Sequence, residues 1–496
     1  MDLKKRLGYS TIWMSIGATG TSITSFVVFV VISRLLTPAE IGLVAFTLIL
    51  VDIGKLIANA GLGKAIVQDP ECGETFASTC FYLNLIFATL TAALFYFIGV
   101  PLVEAFYDPA AGPILQVLCL LLFLEGVKAV HEGKLKRSFA FRIIAARTVF
   151  SSLISGVVGV YMAFAGYGVW ALVAQQVVNL GLVSLTTIWM ARWRPSLTFS
   201  AGHARKLMRF SSPLLAAQLM GTVSSKVYEL LVGILIGPAA LGLFKVGGRA
   251  LYILQDIVLK PFEHTLLSAL SRLPDTPTMA HATMRVIRMS AYMTFPIFFG
   301  AAAIAPDFIV LVFGQKWETS GQLMTILALG IPPMVVGFHI KDALTAKGHS
   351  RQVMNLAGVM LAINGVLGLS TVPLGLTAAA VGFSARNYIV LVFYLRLFRR
   401  MMGQSPMGVL KAVGPAFTAS IMMMLLVMGV GMAVPGDVPT YFSVPMMCLA
   451  GIVFYLLLMA TAFKQETSNF LDEGADMLPA KVKPVAQVLQ RLLGTT

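Results

Sequence analysis

Apolar stretches long enough to cross a bilayer recur along almost the whole chain, and they decide what it can fold into. A hydrocarbon core needs about 20 apolar residues per helix. Fourteen stretches qualify: 10–35, 41–66, 76–100, 113–134, 145–166, 168–190, 209–235, 239–262, 285–311, 321–346, 352–372, 374–397, 409–433 and 441–463. Inside lipid every backbone polar group must be paired within the protein, which leaves helices or a closed barrel, and runs of this length select helices. The sequence therefore predicts an all-α membrane protein with about fourteen transmembrane helices. Charged residues make up only 12% of the chain, against about 25% in an ordinary soluble domain. That is too few to cover a water-facing surface, and no hydrophilic block is long enough to form a soluble domain.

The net charge is +15. Nucleic-acid binding is one source of such an excess, but basic residues crowding cytoplasmic loops explain it better here. One side receives Lys4, Lys5, Arg6, Lys134, Lys136, Arg137, Arg142, Arg147, Arg192, Arg194, Arg205 and Lys206, and later Arg272, Lys347, Arg351, Arg396, Arg399, Arg400 and Lys464. The other side holds little beyond Arg34 and Lys316. Both termini are thus expected in the cytoplasm, the acidic loop 67–75 (Asp69, Glu71, Glu74) being the weakest fit. The basic N-terminal patch runs into a long apolar stretch with no small-residue cleavage site, the pattern of a retained first helix. Cys72, Cys80, Cys119 and Cys448 are scattered without ligand spacing, so neither a disulfide framework nor a metal site is expected.

The corner "RLLTPAEIGLVAF" at 34–46 is echoed by "ILIGPAALGLFKV" at 234–246. Pro38, Ala39, Gly42 and Leu43 recur as Pro238, Ala239, Gly242 and Leu243. "YGVWALVAQ" at 167–175 is echoed by "LGLTAAAVG" at 374–382, and more loosely "EAFYDP" at 104–109 by "LVFGQK" at 311–316. A single Pro-Ala-x-x-Gly-Leu is only a good tight turn, but several echoes in the same order favour duplication. The expected organisation is two parallel six-helix repeats forming two lobes, 1–206 and 207–400, with an extra helix pair in 401–463. Two like-facing halves can rock about a shared cleft, the geometry of alternating access. A cytoplasmic amphipathic tail is expected over 464–496, where Val485, Val488, Leu489 and Leu492 share one face.

A charge at the bilayer centre costs at least about 2.5–3.5 kcal/mol on insertion scales, so charges there mark function or pairing. Asp52 and Lys55 lie three apart in span 41–66, Glu125 and Lys128 in 113–134, and Lys226 and Glu229 in 209–235. Such pairs either neutralise themselves on one helix face or serve a ligand. Span 239–262 carries Lys245 and Arg249 four apart, then Asp256, and span 374–397 carries Arg386. Two like charges on one face need an anion, from another helix or from a ligand, and the ligand is the expectation. Six cations (Lys55, Lys128, Lys226, Lys245, Arg249, Arg386) face four anions (Asp52, Glu125, Glu229, Asp256). The predicted site is a mildly cationic cavity. The cations would bind substrate and the acids would serve coupling or charge pairing. His131 reads as an interfacial histidine rather than a proton relay.

"GLGKAI" at 61–66 lacks the first glycine and the Ser/Thr of a phosphate-binding loop, and in "HEGKL" Leu135 replaces the second zinc-binding histidine. Neither ATP, nor a metal, nor another cofactor is indicated. The loops between spans offer no catalytic constellation, so the chain is not expected to be an enzyme.

The segments "ISRLLTPAEIGLVA", "ANAGLGKAIVQ", "FYDP", "KLKRSFAFR" and "YGVWALVAQQ" resemble the polysaccharide-transport (Wzx-type) flippases, above all the branch containing the colanic acid exporter. These belong to the multidrug/oligosaccharidyl-lipid/polysaccharide (MOP) exporter superfamily. The resemblance implies a V-shaped bundle of two six-helix lobes. It implies an undecaprenyl-pyrophosphate-linked oligosaccharide as substrate, moved from the cytoplasmic to the periplasmic leaflet for exopolysaccharide, capsule or O-antigen assembly. Membrane lipids, and polymerase and export proteins of the pathway, are the implied partners, with no nucleic acid. Other MOP exporters, such as an ion-coupled drug antiporter or a lipid II flippase, and a membrane polymerase or ligase are the alternatives.

Overall fold

The computed structural model describes residues 3–68, 73–270, 275–434, 438–465 and 467. Among them every regular element is a helix, in two compact units, Met1–Lys245 and Val246–Thr496. The amphipathic residues expected at 485–492 lie outside the described residues.

The first unit runs through α1 (Leu3–Leu35), α2 (Pro38–Asn59), a short α3 (Leu62–Gln68) and α4 (Glu74–Leu94). A single π turn, Phe95–Gly99, joins α4 to α5 (Val100–Phe106). Then come α6 (Ala111–Arg137), α7 (Phe141–Phe164), α8 (Val169–Ala191) and α9 (Ala201–Ile236). The boundary between the units falls within α10 (Pro238–Leu270). The second unit contains α11 (Thr276–Phe313), α12 (Glu318–Leu329), α13 (Ile331–Ala346), α14 (Ser350–Thr371), α15 (Leu376–Met402), α16 (Pro406–Ala433) and α17 (Thr440–Thr461).

Twelve helical stretches among the described residues are long and apolar enough to cross a membrane, or thirteen if the bent pair α12–α13 counts as one span. Fourteen were expected, and the difference lies in α10. It is a helix where one was expected, but with Lys245, Arg249 and Asp256 along it, it is not among the stretches apolar enough to count. Two-sided burial is not the rule in this chain: Phe97, Phe106, Val157, Leu425 and Leu449 are exposed on helix faces, as suits a lipid solvent.

The repeated corner has a local cause. Thr37 caps α2 through a capping box, its hydroxyl accepting from the Glu40 N–H while the Glu40 carboxylate accepts from the Thr37 N–H at 2.7 Å. Pro38 then sits in the first turn, where no N–H is needed. Tyr107 donates its hydroxyl to the Gly42 carbonyl at 3.3 Å, and its ring stacks on Phe46 at 3.7 Å between centroids. The second echo also has a shared geometry. Gly168 and Gly375 both hold positive φ (52° and 109°) immediately before α8 and α15. That conformation admits glycine far more readily than other residues.

Prolines interrupt several helices of the second unit, and each deprives the carbonyl four residues earlier of its helical partner. In α11 and at the α12–α13 break, side chains from neighbouring helices fill these gaps. The Pro296 gap leaves the Tyr292 carbonyl, which accepts from the Tyr455 hydroxyl of α17 at 3.0 Å. The Pro306 gap leaves the Ala302 carbonyl, which accepts from the Thr325 hydroxyl of α12 at 2.9 Å. Pro332 and Pro333 follow Gly330, where α12 and α13 meet at 41°. There Ser384, Asn387 and Tyr388 of α15 donate to the carbonyls of Ile326, Gly330 and Leu329 at 2.8, 2.8 and 2.7 Å. The broken span 321–346, expected as one helix, is therefore a built feature.

Candidate functional site

The first unit contains a cavity of about 710 Å³ formed by α2, α3, α6 and α9. It opens where α2 stops. Ala60 adopts a left-handed conformation (φ 46°) and Gly61 follows at φ 70°, so the chain turns into α3 instead of continuing. α3 packs on α6 with Gly133 against the Gly63 carbonyl, and Arg137 caps its end by donating to the Ile66 carbonyl at 3.0 Å. The walls formed by α2 and α6 carry Asp52, Lys55, Glu125, Lys128, Glu132 and Lys136, with Lys64 contributed by α3 and Gln218 and Thr222 by α9.

Helical spacing fixes the ion pairs within each wall. Lys55 meets Asp52 at 3.2 Å, and Lys128 meets Glu125 at 3.2 Å. Lys128 also reaches Glu132 at 3.5 Å, while Lys136 reaches its other oxygen at 2.7 Å. Behind the wall, Arg147 of α7 approaches the same carboxylate at 3.4 Å. Its side chain is 3% exposed, and its Nε and Nη1 have no hydrogen-bond partner among the described residues. Four cations (Lys55, Lys64, Lys128, Lys136) thus line the cavity with three carboxylates (Asp52, Glu125, Glu132), and Arg147 stands behind them.

A second cluster in the same unit joins α9 to the first turns of α10. One oxygen of Glu229, 2% exposed, accepts from both Lys226 at 3.3 Å and Lys245 at 2.6 Å. The anion opposite Lys245 is therefore an acidic side chain of the neighbouring helix, where an external ligand had been expected. The reason lies in the fold: the chain turns at Gly237 between α9 and the first turns of α10, which brings residue 229 beside residue 245.

The remaining predicted residues lie in the second unit. Arg249 and Asp256 stand on α10 within electrostatic range of each other. Arg386 donates to the Asn364 side chain of α14 at 3.0 Å and stacks over Phe383 at 3.7 Å. Of the ten charged residues singled out in the sequence, Asp52, Lys55, Glu125 and Lys128 line the cavity, and Lys226, Glu229 and Lys245 form the second cluster. Sequence reasoning missed Glu132, Lys136 and Arg147 as site residues, because Lys136 and Arg147 read as loop charges and Glu132 fell at the edge of a span. The i, i+4, i+8 series Lys128, Glu132, Lys136 was the signal available. His131 packs between Phe81 and Trp193, its Nδ1 3.0 Å from the Val127 carbonyl, a structural placement. Among the described residues, no group of three or more His, Cys, Asp or Glu side chains is placed to hold a metal ion.

A family model described as "Polysaccharide biosynthesis protein" matches residues 31–322, more than half of the chain. The chain belongs to this family. The matched segment contains the cavity and the Glu229 cluster together. Among curated relatives, the succinoglycan biosynthesis transport protein ExoT of Rhizobium meliloti (strain 1021) is 28% identical over 320 residues, a match spanning 64% of each chain. The teichuronic acid biosynthesis protein TuaB of Bacillus subtilis (strain 168) is 22% identical, over 95% of this chain and 99% of that one. The lipopolysaccharide biosynthesis protein WzxC of Escherichia coli (strain K12) is 19% identical over 70% and 71%. Among solved structures, the lipid II flippase MurJ in an inward closed conformation superposes with a TM-score of 0.75 at 13% identity, covering 92% of this chain and 99% of that one. A MATE transporter in complex with MaD5 gives 0.53 at 14% identity, covering 81% and 97%. The helical fold of this multi-pass membrane protein is therefore shared with these two solved structures.

Proposed function

We propose that the chain is a flippase that moves an undecaprenyl-pyrophosphate-linked oligosaccharide from the cytoplasmic to the periplasmic leaflet of a bacterial inner membrane. It works by alternating access, with both termini cytoplasmic, and supplies exopolysaccharide, capsule or O-antigen assembly. Polymerase and export proteins of that pathway receive its product. The observation that carries this reading is the cavity of about 710 Å³ whose cations outnumber its carboxylates. A diphosphate head is anionic and is matched by lysine ammonium groups, while the lipid tail stays in the bilayer. The names of the relatives point the same way, since one is a transport protein of succinoglycan biosynthesis and another is a lipopolysaccharide biosynthesis protein.

An inside-negative potential assists outward movement of an anion by about 2.3 kcal/mol per charge per 100 mV, so no nucleotide is needed. A cationic-drug exporter requires the opposite sign in its cavity. A lipid II flippase carries the same diphosphate head and is separated from the present reading by its sugar. Deleting the gene and identifying the lipid-linked intermediate that accumulates on the inner leaflet tests the function. Accumulation of an oligosaccharide repeat unit is expected. Accumulation of lipid II, or of nothing, rejects the assignment.

A further inference from the structure

Glu132 is the most heavily shared carboxylate of the cavity. It lines the cavity and holds Lys128 and Lys136 on one side. On the other side it touches Arg147, which does not line the cavity. Arg147 makes a single approach, Nη2 to Glu132 Oε2 at 3.4 Å, and keeps two donors idle in a buried position. A guanidinium reaches its full strength with carboxylates through two parallel hydrogen bonds, and this one makes neither well.

We propose that Glu132 is a built-in counter-ion that an incoming diphosphate displaces, and that Arg147 is the residue that receives it. In the empty cavity the carboxylate occupies Lys128 and Lys136. When a diphosphate enters, Glu132 rotates onto Arg147, its second oxygen meeting one of the idle donors to complete a two-point fork. The two lysines are then free for the phosphate oxygens. On departure of the substrate the carboxylate returns, so the lysines never face the cavity uncompensated. Arg147 is on this account a positioning residue: it never touches substrate and acts only through Glu132. The charge inventory is consistent with the exchange, since Glu125 stays on Lys128's own helix face to balance one cation throughout.

The mechanism rests on the reading of the cavity as a diphosphate site, and the test separates the two. The full chain in nanodiscs is titrated with inorganic pyrophosphate and, in a second arm, with farnesyl diphosphate. Tighter binding in the second arm marks the lipid-linked form as the ligand source, and equal binding marks the headgroup alone. Arg147→Met is expected to weaken binding about tenfold, because Glu132 then has nowhere to go but the lysines. Glu132→Gln is expected to tighten binding. The double variant R147M/E132Q is expected to bind as tightly as E132Q alone, since the arginine has no role once the carboxylate is gone. A merely structural arginine would leave the double variant as weak as R147M, and that result overturns the exchange. Should R147M fail to fold, Arg147→Lys keeps the charge and removes the fork. A smaller loss in the same direction is expected, and wild-type binding by R147K overturns the proposal. Absence of binding to the wild-type chain overturns the reading of the cavity, and the exchange with it.

Discussion

Gly42 lies so close to the backbone carbonyl of Pro238 that a side chain on it would overlap that group, and Gly242 stands in the same relation to Pro38. The two copies of the repeated corner are therefore packed on each other, first turn of α2 against first turn of α10, with each glycine under the other's proline. This explains why both copies keep Pro and Gly at the same spacing. Gly42→Val or Gly242→Val should destabilise the detergent-solubilised protein by about 1–3 kcal/mol or more, the range for overpacking a filled site. A melting curve checks this, with Gly429→Ala as control because nothing lies within 4 Å of that position. Equal melting temperatures for G42V and the control would contradict the packing described.

The buried carboxylate of Glu229 is shared by two partly buried lysines, Lys226 and Lys245. Removing one partner of a buried ion group costs about 3–5 kcal/mol, because the charges left behind are uncompensated. Glu229→Gln is expected to lose stability on that scale. Adding Lys245→Met to it should recover a large part, since the best-formed contact in the cluster, 2.6 Å, no longer has a stranded cation. A double-mutant cycle in denaturant that shows simple additivity would argue against the coupling.

Lys128 stands between Glu125 and Glu132 on the cavity wall. Lys128→Gln should leave the protein folded, with a melting temperature close to that of the wild type. Translocation of the lipid-linked oligosaccharide in vesicles should fall at least about tenfold, the factor that corresponds to about 1.4 kcal/mol of lost binding. Lys128→Arg, which keeps the charge, should retain more activity than K128Q. Full transport by K128Q would remove this lysine from the site.

Tyr455 and Thr325 fill proline gaps in α11. Tyr455→Phe deletes only the hydroxyl and Thr325→Val replaces it with a methyl group of similar size, each leaving a carbonyl without its partner. Each should cost about 1 kcal/mol, up to about 3 where the carbonyl is cut off from water. The sites act on different gaps, so the double variant should lose the sum of the two. Chemical denaturation in mild detergent measures both, and an unchanged Y455F would mean that Tyr292's carbonyl finds another donor.

Much of the architecture was legible in the sequence because lipid leaves few solutions to an apolar chain. The spans, the corner echo and the three i,i+3 ion pairs follow from periodicity alone, and Asp52–Lys55, Glu125–Lys128 and Lys226–Glu229 are each in contact. What was not legible depends on which helix lies beside which. Glu229 meets Lys245 only because the chain turns between α9 and α10, and Arg147 meets Glu132 only because α7 packs behind α6. The break between α12 and α13 was announced by Gly330, Pro332 and Pro333, yet its stabilisation by Ser384, Asn387 and Tyr388 lies more than fifty residues away in sequence.

The proline interruptions of α11 and of the α12–α13 break are tied down by hydroxyl and amide groups reaching across from adjoining helices. A kink whose loose carbonyl depends on water can flex as water comes and goes, whereas one tied to its neighbour turns only if the neighbour turns too. α11, α12, α13, α15 and α17 are thereby coupled into one stiff block, and any large movement during a transport cycle has to be found at joints other than these prolines.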